Sequence, residues 1–195
     1  MIFKNKLIDI FSKEGLLEKE KKYFLNRVGE YGTIAKLSRY GIDAYLTHGN
    51  KKSFDIVAAG NGKSVKIQVK TTKENAVPTR FFQTYYDLGI ETPDYWVLVN
   101  SIMDENGQYN EKYYILTHSE LMDYHVEQLK RPKEGINNAD DLRKREQLLR
   151  ESRKSKVEAE RKASGLDKVF FKEIQKFENQ FNKIFNALYG IEKIS

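Results

Sequence analysis

Cysteine is absent from this 195-residue chain, which also has only three histidines and three prolines. Without cysteine, the chain can form neither a disulfide framework nor a metal site with thiolate ligands. The histidines, His48, His118 and His125, do not have the spacing of a histidine metal site. Any metal ion bound here should therefore be a hard cation held by oxygen ligands, such as Mg²⁺ or Mn²⁺.

Long apolar runs are lacking as well. No run approaches the roughly 20 residues that a membrane-spanning helix needs, and residues 1–15 show no signal-peptide pattern. We therefore expect a cytoplasmic protein that has no membrane partner. The formal net charge of +6 is compatible with a polyanionic partner but does not identify one.

The pattern of apolar residues predicts an α/β fold with a mixed sheet. From Asn26 onwards, apolar residues recur at helical spacing, and Gly41 follows as a natural stop. The apolar positions of this helix are Val28, Tyr31, Ile34, Ala35 and Leu37. Three segments with alternating apolar and polar residues follow: IDAYLTH, SFDIVAA and SVKIQVKTT. The turn GNG joins the last two as an antiparallel hairpin.

The middle of the chain predicts the remaining elements of this fold. TRFFQTYYDLG predicts a helix, PDYWVLVN a buried strand and YNEKYYILT a further strand. SELMDYHVEQL predicts another helix, with either His118 or Ser119 as its N-terminal cap.

The chain divides into three parts by character. Residues 1–25 predict an N-terminal helical segment, residues 26–131 the α/β core, and residues 132–195 a C-terminal helical extension. The extension contains a charge-dense stretch, which can track a DNA backbone or be a solvated helix. An apolar stripe in steps of three and four then runs from Leu166 to Leu188. Such a stripe is more often core packing than a partner surface, yet it also fits a homodimer.

Polar groups converge on the predicted hairpin. Side chains alternate along a strand, so Gln68 and Lys70 lie on the face opposite the valines and isoleucine of SVKIQVKTT. The same alternation puts Asp55 on the polar face of SFDIVAA, and the hairpin brings Asp55 close to Gln68 and Lys70. A carboxylate, an amide oxygen and an ammonium group then meet near the middle of the sheet.

This cluster suits hydrolysis of a phosphodiester bond. Asp55 and the amide oxygen of Gln68 can hold a divalent ion, with the main-chain carbonyl of Val69 as a third ligand. The ion polarises the phosphate and lowers the pKa of a bound water. Lys70 can orient or deprotonate that water, or offset charge on the phosphoryl oxygens. Glu30 can reach the same ion from the preceding helix, although a glutamate on a helix is most often solvated.

The order of these residues resembles that of the PD-(D/E)XK nuclease superfamily, which includes many restriction endonucleases, Holliday-junction resolvases and repair nucleases. The matching residues are Glu30 in GEYGTIAKLSRYG, Asp55 in SFDIVA, and Gln68 with Lys70 in IQVKT. The resemblance implies a restriction-endonuclease-like αβββαβ core and Mg²⁺-dependent cleavage. Two positions depart from the pattern: Phe54 replaces the proline, and Gln68 replaces the acidic residue before Lys70.

Residues near this cluster are weaker candidates for nucleic-acid binding. Thr72, Lys73 and Arg80 follow Lys70 and can contact phosphates, although exposed basic residues are common. Gln83 resembles a glutamine that contributes to the site in some nuclease branches, and its alternative is an ordinary polar helix residue.

These observations predict an Mg²⁺- or Mn²⁺-dependent endonuclease that acts on double-stranded or branched DNA. A restriction-type enzyme or a relative of the resolvases fits best, with dimer contacts through the C-terminal helices. The alternative is a non-catalytic nucleic-acid-binding module that kept the fold after losing the metal, because Gln68 removes one negative charge from the ion's shell.

Overall fold

A five-stranded mixed sheet lies at the centre of the structure, a computed structural model that describes residues 18–47, 53–81, 84, 90–130 and 167–190. The strands of the chain are β1 (Asp43–Leu46), β2 (Ile56–Gly60), β3 (Lys63–Thr72), β4 (Ala76–Pro78), β5 (Tyr95–Met103), β6 (Tyr109–Thr117) and β7 (Lys168–Phe170). The central sheet has the order β1-β2-β3-β5-β6, while β4 and β7 form a separate pair. Only β3 and β5 run parallel among these pairings. The predicted α/β fold with a mixed sheet is confirmed.

Three α-helices pack around this sheet in the described part of the chain: α1 (Glu18–Arg39), α2 (His118–Lys130) and α3 (Asn182–Tyr189). None of them is long and apolar enough to cross a membrane. The helix predicted for TRFFQTYYDLG falls mostly outside the described residues, which include only 79–81 and 84 of that segment.

The hairpin between β2 and β3 has the turn that its sequence predicts. Asn61 and Gly62 both adopt positive φ angles, 49° and 72°. Two such residues in a row match the right-handed twist of the flanking strands, which is why Asn-Gly favours this turn. The turn sets the register in which Ile56 lies opposite Ile67 and Ala58 opposite Val65.

Two apolar cores cover the two faces of the sheet. The first core lies between the sheet and helices α1 and α3 and contains Ile56, Ile67, Val97, Ile115 and Leu188, among others. The second lies on the opposite face and contains Trp96, Leu98, Tyr114, Phe81 and Leu121, among others. Because β5 contributes to both cores, residues 95–101 are all buried, as predicted for that strand.

Helix α1 approaches the sheet through small side chains. Its buried residues are Gly29, Thr33 and Leu37, spaced four apart along one face. An added methyl group at Gly29 would overlap the hydroxyl oxygen of Thr71 on β3. The predicted apolar face is therefore wrong in part, since Tyr31 and Ala35 are exposed. A helix that lies close to a sheet needs small side chains at the contact. A pattern of apolar residues does not reveal such positions, because glycine and threonine are not part of it.

The N-terminal boundary predicted at residue 25 lies inside a single helix. Helix α1 begins at Glu18 and continues without interruption to Arg39, so residues 18–25 belong to the same element as Glu30. Gly41 follows the helix two residues after Arg39, and its φ of 71° fits the C-terminal stop that the sequence predicts.

The apolar stripe near the C-terminus is not one helix. It forms the short strand β7, two 3₁₀ turns (Phe171–Glu173 and Gln175–Phe177) and helix α3. The stripe residues Ile174, Phe181, Ile184 and Leu188 are almost fully buried in the two cores. The core-packing interpretation is confirmed for these four residues. A homodimer stays a prediction, and its contacts would have to use other side chains; residues 131–166 lie outside the described part of the chain.

Helix α2 begins with a capping box at Thr117, one residue before the predicted caps His118 and Ser119. Thr117 Oγ1 accepts the Glu120 N–H at 3.1 Å, and Glu120 Oε2 accepts the Thr117 N–H at 2.8 Å. This reciprocal pair satisfies two main-chain donors at the helix start. The N-cap is therefore Thr117 and neither His118 nor Ser119. The signal was present as Thr-x-x-Glu in the sequence.

Candidate active site

The candidate site forms where β3 separates from β2. Regular pairing of the two strands ends at Ile56 and Ile67, and the Asp55 N–H donates to the Ile67 carbonyl at 2.9 Å. The next outward N–H of β3, that of Val69, donates instead to Oδ2 of Asp55 at 2.8 Å. The carboxylate thus takes the place of a strand acceptor, because every buried main-chain donor needs a partner. We call residues 55 and 67–70 the β2–β3 fork.

Gln68 closes the β2–β3 fork. Its side chain is 4% exposed, and its amide NH₂ group donates to Asp55 Oδ2 and to the Val69 carbonyl, the latter at 3.3 Å. The predicted proximity of Gln68 and Asp55 is therefore observed. The amide nitrogen, however, is the atom directed at these two oxygens, and the predicted use of the amide oxygen requires the amide group to turn about its bond.

Lys70 lies in the same electrostatic environment. Burial lowers the pKa of Lys70, and the nearby cations Arg80 and Lys22 lower it further, while the carboxylates of Asp55 and Glu30 oppose the shift. Burial disfavours the charged form of a lysine, so the ammonium gives up its proton more readily than an exposed one.

Asp55 is a half-buried carboxylate with several compensating partners. Burial raises its pKa, whereas the Val69 N–H, the charge of Lys70 and the Gln68 amide lower it and only partly offset that effect. Its negative charge is thus incompletely compensated, which favours a further cation nearby.

Glu30 approaches the site from α1, as the sequence predicts. Burial raises the pKa of Glu30, and the negative charge of Asp55, which lines the same groove, raises it further. Two raised carboxylate pKa values in one place are typical of a functional site.

Arg27 is a site residue that the sequence analysis missed. Its guanidinium Nη1 donates to Glu30 Oε2 at 3.0 Å. Arg27, Glu30 and Asp55 line one groove with a volume of about 210 Å³, together with Tyr23, Asn26, Leu46 and Thr47. The spacing of three residues between Arg27 and Glu30 on a helix was the available signal.

The carboxylate, amide and carbonyl oxygens at the fork are of the kinds that a hard divalent cation would need. The Gln68 NH₂ group already bridges Asp55 Oδ2 and the Val69 carbonyl, so a partial positive charge stands where a cation would find two oxygens. No group of three or more His, Cys, Asp or Glu side chains in the described ranges is arranged to hold a metal ion. An ion here would therefore depend on Asp55 and Glu30, completed by amide, carbonyl or phosphate oxygens.

The weaker candidates lie in different surroundings. Thr72 is buried, and its hydroxyl accepts the Glu74 N–H at 3.1 Å, so it stabilises the turn after β3. Lys73 is exposed and lies 3.3 Å from the hydroxyl of Tyr109. Arg80 is exposed, has a φ of 53° and is close enough to act on the pKa of Lys70. Gln83 lies outside the described residues. Phosphate contacts of these residues stay predictions.

Comparisons with known proteins find similarity at the level of solved structures. No protein-family model matches the sequence, and no curated protein matches it. Among solved structures, the chain is similar to a bacterial homing endonuclease, I-Ssp6803I, with 17% sequence identity and a TM-score of 0.36. The match covers 54% of this chain and 68% of that chain. Function therefore has to be inferred from the site itself.

Proposed function

We propose that this chain is a metal-dependent endonuclease that hydrolyses phosphodiester bonds of DNA. The observation that carries the proposal is the β2–β3 fork, where a half-buried carboxylate, a buried amide and a main-chain carbonyl converge. Lys70 and Glu30 act electrostatically on the same carboxylate. The order of these four side chains along the chain also resembles the PD-(D/E)XK pattern, with Gln68 in the acidic position.

Each residue of the site has a role in this proposal. A bound Mg²⁺ or Mn²⁺ would polarise the scissile phosphate and lower the pKa of a water molecule. Asp55 would hold the ion together with the Val69 carbonyl, and the amide oxygen of Gln68 would join them if the amide turned. Glu30 would support the ion in place of its ion pair with Arg27. Lys70, whose pKa is lowered by burial, accepts a proton from the attacking water or donates to a phosphoryl oxygen.

A second function is favoured by the hydrogen bonds of the Gln68 amide. Because the Gln68 NH₂ group already donates to Asp55 and to the Val69 carbonyl, the fork is hydrogen-bonded without any ion. A site of this kind also fits a nucleic-acid-binding module that kept the nuclease fold and lost catalysis. The two functions differ in their response to a divalent ion.

Plasmid cleavage separates these functions. The purified chain is incubated with supercoiled plasmid in three buffers that differ only in one component: Mg²⁺, Mn²⁺ or a chelator. We expect nicked or linear DNA with either metal and intact DNA with the chelator. Asp55→Asn and Lys70→Met should each lower the rate at least about 100-fold. Asp123→Asn, at an exposed carboxylate of α2, is the matched control and should cleave at the wild-type rate.

The opposite results are equally clear. Intact plasmid in every condition, DNA binding in a gel-shift experiment, and no metal-induced increase in the melting temperature would establish the binding module instead. Wild-type cleavage by folded Asp55→Asn and Lys70→Met variants would place the active site elsewhere in the chain.

A further inference from the structure

An exposed row of aromatic and cationic side chains runs along α1. Tyr23, Arg27 and Tyr31 are spaced four residues apart, so they lie on one face of the helix. The guanidinium carbon of Arg27 lies 5.3 Å from the ring centre of Tyr23 and 5.7 Å from that of Tyr31. Arg27 Nε also donates to the Tyr23 hydroxyl at 3.3 Å. We call these three residues the tyrosine ladder.

The tyrosine ladder does not belong to the core. Tyr23 is 54% exposed and Tyr31 is 58% exposed, whereas α1 packs on the sheet through Gly29, Thr33 and Leu37. Core packing therefore does not account for two large aromatic rings on the solvent side of the helix. Contacts four residues apart do stabilise a helix, but only by a few tenths of a kcal/mol.

The ladder lies beside the candidate site. Tyr23 and Arg27 line the same groove as Glu30 and Asp55, and Tyr31 follows Glu30 directly in the helix. A ligand that enters this groove to reach Asp55 therefore meets Tyr23 and Arg27, and Tyr31 continues the same row along α1.

The chemistry of the ladder matches a strand with unpaired bases. Flat aromatic faces stack on nucleobases, and a guanidinium group stacks on a base or pairs with a phosphate. The charge of Arg27, together with the exposed Lys22 nearby on α1, complements a polyanion. In a continuous duplex the faces of the bases are covered by their neighbours, so only unpaired bases can use such a surface.

We propose that the tyrosine ladder stacks unpaired bases next to the phosphate that is cut, so that the substrate is DNA with a single-stranded segment. The position of the cut rests on the proposed function, whereas the stacking does not. The preferred substrate then carries an overhang, a flap or a bubble, and a continuous duplex of the same length binds less tightly.

Binding without cleavage tests this proposal. The full chain is titrated, in the presence of a chelator and at one salt concentration, into fluorescein-labelled DNA: a single strand, a blunt duplex and a duplex with an overhang. We expect the single strand and the overhang to bind about tenfold more tightly than the blunt duplex. A 2-aminopurine base in the single strand should lose fluorescence on binding, because stacking quenches it.

Variants of the ladder assign this binding to particular rings. Tyr23→Leu and Tyr31→Leu should each weaken single-strand binding about tenfold, reduce the 2-aminopurine quenching and leave duplex binding unchanged. Tyr31→Phe keeps the aromatic face and should bind within twofold of wild type. Tyr40→Leu, at another exposed tyrosine beyond the end of α1, is the matched control and should not change binding.

Several results would overturn the proposal. Equal affinity of the wild-type chain for single strand and duplex would do so. Equal losses of single-strand affinity in Tyr31→Leu and Tyr40→Leu would do so as well. Failure of both ladder variants to fold would assign the rings to the structure instead. Because all binding is measured without metal, a chain that stacks single strands but never cuts them would reject the proposed function and retain the ladder.

Discussion

Gln68 is the residue on which the chemistry of this site depends most. An aspartate or glutamate there would give the fork a second buried negative charge beside Asp55, and that pair would require a cation. The neutral amide instead donates to Asp55 Oδ2, so the fork is stable without an ion. Strand alternation was sufficient to predict that Asp55 and Gln68 meet. It could not predict which end of the amide faces Asp55, because that depends on the acceptors around it.

Restoring an acidic residue should make the stability of the protein depend on metal. With a chelator, Gln68→Glu replaces a hydrogen bond by repulsion from Asp55. We therefore expect the free energy of unfolding to fall by an amount on the order of 2 kcal/mol. With Mg²⁺, the additional carboxylate should strengthen ion binding and raise the melting temperature more than in wild type. Thermal melts at increasing Mg²⁺ concentration measure both effects.

A control at an exposed glutamine isolates the role of the fork. Gln108→Glu lies in the turn between β5 and β6 and should melt like wild type in both conditions. If Gln68→Glu responded to Mg²⁺ no more than Gln108→Glu, the fork would not be a cation site.

At the scale of elements, the position of α1 decides whether Glu30 reaches the site. The sequence predicted this helix and placed Glu30 on it, but two residues of the predicted apolar face, Tyr31 and Ala35, are exposed. The reason is physical: the helix is held close to β3 by glycine, and a glycine contributes nothing to an apolar pattern. Gly32 makes a similar close approach, since an added methyl there would overlap the Tyr113 hydroxyl.

A methyl group at Gly29 should therefore move α1 and weaken catalysis together with stability. In Gly29→Ala, the new side chain meets Thr71 Oγ1, with Thr71 Cβ at 3.1 Å and Val69 Cγ1 at 3.3 Å. We expect a loss of about 2 kcal/mol in the free energy of unfolding, since overpacking forces backbone shifts. Chemical denaturation measures the loss, and plasmid cleavage measures the displacement of Glu30.

A second substitution tests the cause. The Thr71 hydroxyl is buried and has no hydrogen-bond partner within the described residues, so removing it should cost little. Thr71→Ala should recover part of the stability that Gly29→Ala loses. If the losses in the free energy of unfolding add up in the double variant Gly29→Ala/Thr71→Ala, the two side chains do not clash.

The ion pair between Glu120 on α2 and Lys183 on α3 should make the stability of the fold depend on pH. Lys183 Nζ lies 2.7 Å from Glu120 Oε1. Burial would raise the pKa of Glu120, but the Lys183 ammonium and the Thr117 N–H outweigh it, so the pKa lies below its ordinary value. A carboxylate with a lowered folded-state pKa stabilises the fold above its unfolded-state value, near 4.5, and loses that contribution as the pH falls through the folded-state value.

Glu120→Gln should therefore destabilise the protein at neutral pH but not in acid. We expect a difference on the order of 1 kcal/mol at pH 7, because the pair is partly exposed to solvent. The difference should shrink as the pH falls below ~4.5, where Glu120 is protonated first in the unfolded chain, and it should vanish below the lower folded-state pKa. Denaturation curves at several pH values measure it, and Glu105→Gln, at an exposed glutamate, should show no such change. A difference that does not depend on pH would mean that the charge of Glu120 is irrelevant.

At the scale of the whole molecule, residues 167–190 complete the core that supports the site. Strand β7 pairs with β4, and α3 packs on the same face of the sheet as α1. The sequence predicted the apolar residues of this segment, but their regular spacing suggested one continuous helix. Pairing with a strand about 90 residues earlier is a tertiary effect that local periodicity does not contain.

This arrangement predicts that the stripe stabilises each single chain. Phe181 is 1% exposed and packs against Tyr113 and Tyr40, with ring centres 5.9 and 6.0 Å away. Phe181→Ala should cost about 3 to 5 kcal/mol, because it leaves a cavity between α3 and the sheet. Phe170→Ala removes the same atoms from a side chain that is 39% exposed, and its cost should stay near 1 kcal/mol.

The dependence on protein concentration distinguishes this role from a dimer interface. If Phe181 stabilises a single chain, the loss in melting temperature of Phe181→Ala is the same at all protein concentrations. If it stabilises a dimer, the melting temperature of the wild-type chain rises with concentration, and the substitution abolishes that rise. Thermal melts over a hundredfold range of protein concentration, with sedimentation measurements on the wild type and on Phe181→Ala, decide between the two roles. A loss in melting temperature that depends on concentration would contradict the burial of Phe181 within one chain.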